Sequence, residues 1–483
     1  MVLQRGKPIC IWGAASGCDV VRISLGEYSA CAEVVDGSWK TYLPPMEAGV
    51  GFSLVVSGGD FNRKIQDVAV GEVWIAGGQS NMEFLLKYDA EAERFCALEN
   101  ESIRCFEVPK ISFIGQEEHY KMSDAGFWRK ECPKDSPGFT AVGFYFANRL
   151  YETLQVPVGI INCTWGGTSA SCWVSEEYLT GELQFYLDKA REVQSTVDYE
   201  KELPNYIAIQ KRILNSDIDM GKPNLAPVEP LIDEATHERL MVMNNWPFSA
   251  FRPCGLYELM VKTIIPYTVS GVIWYQGESD EYFSEHYESV MRAVVHCWRD
   301  SWKEPLPFIM VQLAAFEVMA EYLDFVTIRK SQEKLAREEP GVYIVTAMDV
   351  GMQYDIHPKH KRPVGTRLAM QALDKVYHCH ILADSPTVLA VERSGEQVRI
   401  LMKHTGLGLF VKPGRKPATF ELSSREKSWE NFTVKVLPHE IDLWIPGLSD
   451  EDRVKINFCQ CPYCELSIYN SEELPVLPFQ ILV

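Results

Sequence analysis

The chain has 483 residues, 46% hydrophobic and 23% charged, with a formal net charge of −19 at pH 7. Such a length suggests roughly three globular domains, with enough chain to bury several cores without metal or disulfide staples. The negative charge argues against nucleic acid and against an anionic membrane surface as partners, and it leaves recognition of any acidic substrate to local arginines.

Residues 1–69 read as all-β. Short runs such as Ile9-Cys10-Ile11-Trp12 and Phe52-Ser53-Leu54-Val55-Val56 alternate with glycine turns, as in a small sandwich. Residues 70–378 change character: β-branched apolar runs alternate with helical stretches, the pattern of a parallel sheet with crossover helices. Strands are expected at 73–76, 103–108, 158–163, 271–275, 308–313 and 342–347. Phe139, Val142, Phe146, Leu150 and Leu154 repeat at helical spacing, as do Met291, Val294 and Trp298. A further helix is expected from Glu83, and another over 362–377. The more polar stretch at about 176–250 reads as an insertion over the catalytic face. From 379 to 483 short alternating segments return, which marks a second β-domain.

The fourteen cysteines form no regular framework, and most lie in apolar runs, which suits a reducing compartment. Cys459-Gln460-Cys461-Pro462-Tyr463-Cys464 is the one cluster. Zinc needs four ligands and no partner pair is evident, so it reads as a strand and turn with free thiols. There is no run of 18 apolar residues to span a membrane, and residues 1–12 lack the apolar centre of a signal peptide. The expected location is cytoplasmic; a secreted protein whose leader has been removed is the alternative.

In an open parallel sheet, chemistry gathers at the carboxyl ends of the strands. Four strand ends here carry unusual residues. The strand Val73-Trp74-Ile75-Ala76 breaks into Gly77-Gly78-Gln79-Ser80-Asn81-Met82, which presents a serine at a strand-to-helix turn. It is not the G-x-S-x-G elbow, because Met82 replaces the second glycine. After Ile160-Ile161-Asn162-Cys163-Thr164 comes Trp165-Gly166-Gly167-Thr168, whose backbone N–H groups suit an oxyanion. Gly271-Val272-Ile273-Trp274-Tyr275 runs into Gln276-Gly277-Glu278, where Gln276 offers a side-chain donor. Finally, Tyr354-Asp355-Ile356-His357-Pro358 supplies a histidine base with an aspartate beside it, the pairing a serine nucleophile needs.

Taken together, these blocks resemble the SGNH (GDSL-like) hydrolase superfamily, and within it the sialate O-acetylesterase family and its acetyl-xylan esterase relatives. The matches are Val73-Trp74 with Gly78-Gln79-Ser80-Asn81-Met82, Trp165-Gly166-Gly167-Thr168, Val272-Ile273-Trp274-Tyr275-Gln276-Gly277-Glu278-Ser279, and Asp355-Ile356-His357-Pro358 with Val364-Gly365. The resemblance implies a three-layer α/β/α domain with a parallel sheet, flanked by β-sandwich-like domains at either end. It makes Ser80 the nucleophile and His357 the general base, with Asp355 as the orienting acid. The oxyanion hole would comprise the amide of Ser80, a backbone N–H at Gly166 or Gly167, and Gln276. The superfamily usually sets its aspartate three residues before the histidine; here Asp355 is two before, so Asp349 or a backbone carbonyl remain alternatives.

The function this implies is serine-dependent removal of O-acetyl groups from sialic acid, with acetylated xylan or mannan oligosaccharides as the alternative substrates. Neither a metal nor an organic cofactor is required. Glu278, Arg252 and Trp165 are candidate sugar contacts, and Arg252 or Arg329 would suit a sialate carboxylate. Two rivals come from other classes: a glycosidase using Glu278 and Asp355, and a non-catalytic glycan-binding protein built on the β-domains. The oligomeric state is not legible.

Overall fold

The computed structural model describes residues 1–120, 125–214, 221–226, 242–317, 324–416, 419–425, 427–449 and 451–483. Its central sheet runs in the order Val342–Thr346, Phe308–Gln312, Gly271–Tyr275, Phe61–Gly78, Val158–Thr164, Asn100–Glu107, Trp128–Glu131. Neighbours are parallel except Trp128–Glu131, which closes one edge antiparallel. Val73, Ile75, Ile161, Val272 and Ile273 are all buried, because helices cover both faces. Trp74 packs against Phe146 of helix Ala141–Leu154, whereas Trp274 packs against Trp298 of helix Tyr287–Trp302. Trp274 is in register with Gly77, an odd number of residues from Trp74, so the two rings lie on opposite faces. Helices Arg362–Lys375 and Phe325–Glu338 complete the two layers. The fold is therefore mixed α/β with a parallel central sheet.

Strand Phe61–Gly78 joins the first β-unit to this sheet. Its early residues pair antiparallel with Gly49–Gly58, and its later ones pair with Val158–Thr164 and Gly271–Tyr275. The boundary expected between 69 and 70 thus falls inside one continuous strand. The first β-unit has its own core, including Val21, Ile23, Leu43 and Leu54. The C-terminal sheets pair antiparallel around Ile400, Ile441, Ile456 and Phe458, and this core also takes in Ala315 and Met348 of the central domain.

One local expectation needs correction. The helix placed from Glu83 is a single turn, Ser80–Glu83, and begins at the serine itself. Leu85 bridges Thr140, and Leu86 donates to Phe139 O at 2.8 Å, which draws the chain out of the helical path. Within the expected insertion, Gln184–Thr196 and Tyr199–Leu214 are helical, while 215–220 and 227–241 lie outside the described residues. Among the described residues, no helix is long and apolar enough to cross a membrane.

Candidate active site

The site begins at the end of strand Phe61–Gly78. Gly78 has φ +129°, and a Cβ there would lie 2.1 Å from Tyr275 O, so only glycine makes this turn. Gln79 N donates to Tyr275 O at 3.0 Å. The Gln79 side chain accepts from Gly277 N at 3.2 Å and Ser279 N at 3.3 Å, and donates to Ser279 Oγ at 3.2 Å. Two strand-end loops are thereby laced together. Ser80, partly exposed, opens the helical turn, where its backbone N–H has no acceptor within the helix.

Asn81 carries the connection to the histidine loop. Its Nδ2 donates to Ile356 O at 2.9 Å and to Glu278 Oε1 at 2.5 Å, and its Oδ1 accepts from Lys361 Nζ. Ile356 precedes His357 and Asn81 follows Ser80, so one amide ties the two predicted catalytic residues' backbones together. Among the described residues, no hydrogen bond joins the Ser80 hydroxyl to the His357 ring; catalytic hydrogen bonds are often long before substrate binds. Asp355 is adjacent, but its Oδ1 accepts the main-chain N–H of His357 at 2.9 Å. Its Oδ2 accepts from Asn224 N at 3.0 Å and pairs with Lys359 Nζ at 3.0 Å. The expected carboxylate-to-ring contact is thus replaced by a carboxylate-to-backbone one, because a two-residue spacing favours a local turn. Asp349 is committed elsewhere: both its oxygens accept from Arg367, at 2.7 and 2.8 Å, and Tyr469 Oη donates to it at 3.2 Å.

The glycine loop lies against the serine. A Cβ on Gly166 would sit 3.3 Å from Ser80 Cβ. Yet Gly166 N–H donates to Glu83 Oε2 at 2.6 Å, and Glu83 is itself paired with Lys110. Gln276 departs from expectation in a similar way. It is fully buried, and its amide nitrogen donates to Thr168 O at 3.1 Å and to the Asp280 carboxylate. Asp280 also accepts from Ser169 Oγ at 2.8 Å and Ala170 N at 3.0 Å. Gly166 and Gln276 therefore hold the loop, and their donors do not face an open oxyanion position. Gly167, at φ +76°, has its N–H unengaged among the described residues.

The three sugar-contact candidates turn inward. Glu278 is 5% exposed and held by Asn81, and Trp165 is 7% exposed, within the core. Arg252 donates to the carbonyls of Ser112 and Ser249, both at 3.0 Å. Arg329 is buried and donates to the carbonyls of Cys461 and Pro462, joining the central domain to the C-terminal unit. Asn81, Glu83, Asp280 and Lys361 were not singled out from sequence. Asn81 sits inside the serine motif and Glu83 directly follows it, and Lys361 lies within the basic run 359–362, which looks like a solvated surface.

Burial, then the nearby Lys361 charge, lowers the His357 imidazole to about 4, against the opposing pull of Asp355. The ring is therefore neutral at pH 7 and able to accept a proton. Burial alone would raise the Asp355 carboxyl, but the amides of Asn224 and His357 and the Lys359 ammonium outweigh it and hold it down. Among the described residues, no group of His, Cys, Asp or Glu is arranged to hold a metal ion. The arrangement offers a serine hydroxyl beside free backbone donors and, on a loop joined to the serine turn through Asn81, a neutral imidazole, the parts of nucleophilic acyl transfer.

A family profile described as "Carbohydrate esterase, sialic acid-specific acetylesterase" matches residues 70–203 and 243–374, more than half of the chain. The sialate O-acetylesterase of Rattus norvegicus is 25% identical, with 99% of this chain and 92% of the relative covered. That of Mus musculus is 26% identical, with 78% and 72% covered. Among solved structures, a carbohydrate acetylesterase from Xanthomonas citri aligns with a TM-score of 0.76 at 25% identity, covering 99% of this chain and 96% of the other.

Proposed function

The chain belongs to the sialic acid-specific acetylesterase family of carbohydrate esterases, which are carboxylic ester hydrolases, and from that premise we propose that it removes O-acetyl groups from sialic acid through Ser80 and His357. The observation that carries this reading is the Asn81 amide, which ties the serine turn to the histidine loop. His357 takes the Ser80 hydroxyl proton as Oγ attacks the acetyl carbonyl. The negative charge that forms on the carbonyl oxygen is held by the N–H groups of Ser80 and Gly167, the two predicted donors left free. Collapse breaks the ester bond, and His357 returns the proton to the departing sugar hydroxyl. Water then repeats the sequence on the acetyl-serine, releasing acetate.

A cleft of about 900 Å³, bordered by Lys359, His360 and Arg362, opens beside the histidine loop, but neither Ser80 nor His357 lines it, so it is not assigned to the acetyl group. Sialic acid is the favoured substrate because the rat and mouse relatives are named for it. A second reading, acetylated plant oligosaccharides, draws on the Xanthomonas citri relative, which is described as a carbohydrate acetylesterase without a named sugar. Acetate release from a panel of acetylated sialic acids and acetylated xylan and mannan oligosaccharides separates the two; turnover of the plant substrates alone would overturn the sialate assignment. All fourteen cysteines are free thiols, which favours a cytoplasmic location, testable by cell fractionation.

Ser80→Ala tests the mechanism. Turnover of 4-nitrophenyl acetate is expected to fall on the scale of roughly 10⁶ seen when a serine hydrolase loses its nucleophile. A folded Ser80→Ala protein that keeps its turnover would refute the assignment.

A further inference from the structure

Lys361 is an ammonium placed where an aliphatic side chain would be expected. It is 1% exposed, and its Nζ lies 4.7 Å from the centre of the Phe84 ring and 5.5 Å from that of Tyr275. Its backbone N–H donates to Asp89 Oδ2 at 2.8 Å, which pins the start of helix Arg362–Lys375. Burying an ammonium is costly, and a hydrophobic residue of similar volume often serves stability as well or better. A stabilising role alone therefore gives little reason for a lysine here.

The reason lies at Asn81. A side-chain amide has two nearly equivalent orientations, and only its partners decide between them. Lys361 can only donate while protonated, so it draws the Asn81 oxygen toward itself. The nitrogen then faces Ile356 O, which can only accept, and Glu278 Oε1, which only accepts while the carboxylate is ionised; burial pushes that carboxyl up, against the Asn81 hydrogen bond and the Lys361 charge. Turned round, the amide would set oxygen against a carboxylate and a carbonyl, and nitrogen against an ammonium. We propose that Lys361 is a positioning residue: its buried ammonium fixes the Asn81 amide and so sets the placement of the Ser80 turn against the His357 loop. This rests on the Ser80–His357 reading above.

The charged and titratable groups facing Lys361 are Glu278 from the end of strand Gly271–Tyr275, Asp89 from beyond the serine turn, and Asp355, His357 and Lys359 from the histidine loop. Burial lowers the Lys361 ammonium to about 7, opposed by Glu278 and reinforced by Lys359. As pH rises through that value the lysine becomes able to accept as well as donate, and its hold on Asn81 slackens. The same change moves a positive charge away from His357.

The test compares wild type with Lys361→Met, Asn81→Ala, the double variant and a Ser80→Ala control, using 4-nitrophenyl acetate between pH 3 and 9. Lys361→Met keeps the volume and loses the donor. Its kcat is expected to fall about 100-fold, the scale of a misplaced reacting group, with KM changed by less than about threefold. The wild-type alkaline decline in kcat, centred near 7, should vanish in Lys361→Met, and the acid limb set by His357 should move upward. Because Lys361 acts through Asn81, the double variant should lose no more than Asn81→Ala alone. A kcat for Lys361→Met within about twofold of wild type, or losses that multiply in the double variant, would overturn the proposal. Should Lys361→Met fail to fold, wild type still decides: a kcat that stays flat from pH 6 to 9 would count against it. Turnover retained by Ser80→Ala would instead bring down the underlying mechanism, so the two failures are distinct.

Discussion

The Asp355 carboxylate holds the main chain of His357, at 2.9 Å from its N–H, and turns its other oxygen to Lys359 and Asn224. In a serine–histidine–aspartate triad the acid grips the imidazole itself, and amidating it costs about 10⁴ in turnover. Here the carboxylate shapes the turn that presents the ring. Asp355→Asn is therefore expected to lose about 10- to 100-fold in kcat, the scale of a small misplacement. A loss of about 10⁴ would place the carboxylate on the ring during catalysis. Asp349→Asn, measured beside it, should act mainly on stability, since Asp349 is bound to Arg367 and Tyr469.

The pH dependence of kcat/KM should report the histidine. His357 works only when neutral, and burial together with the Lys361 charge lowers it to about 4. Activity is expected to fall about tenfold per pH unit below that value and to level off above it, until the decline near 7 expected from Lys361 sets in. Asp355 opposes this lowering, so Asp355→Asn should move the limb further down. An acid limb at the ordinary histidine value near 6.5 would show that the ring is solvated in the working enzyme.

Glu83 provides a test whose sign is informative. Its carboxylate accepts the Gly166 N–H at 2.6 Å and pairs with Lys110, which fastens the glycine loop beside Ser80. Glu83→Ala should lower kcat by about tenfold or more, because the loop loses its anchor. A rise in kcat would mean that Gly166 N–H is an oxyanion donor that Glu83 masks.

Gly78 should not tolerate a side chain. At φ +129°, with a would-be Cβ 2.1 Å from Tyr275 O, Gly78→Ala must shift the turn that carries Ser80. A loss of more than about 4 kcal/mol is expected, seen as a lowered thermal midpoint or loss of soluble protein. A Gly78→Ala protein with wild-type melting and activity would contradict the turn as described.

Much of the architecture was legible in the chain. The central strands are buried on both faces, so they appear as unbroken apolar runs such as Val73 to Ala76 and Val272 to Tyr275. Glycines at their ends marked the turns around Ser80 and Gly166, because few other residues permit so tight a path. The continuity of Phe61–Gly78 was hidden, since residues 62–67 are exposed and mostly polar while 68–78 are buried, so the change in character falls within one strand.

By itself, then, the sequence determined which chemical groups stand at which strand ends: a serine, a glycine pair, a glutamine and a histidine. Only the tertiary structure decided what each of them touches. Gln276 is turned to Thr168 and Asp280, Gly166 to Glu83, Asp355 to a backbone amide, and Lys361 from an apparent surface run to the buried Asn81. The physical reason is range. Strand and turn preferences are set by neighbours along the chain, whereas a hydrogen bond works only within about 3 Å, between groups that folding brings together from far apart.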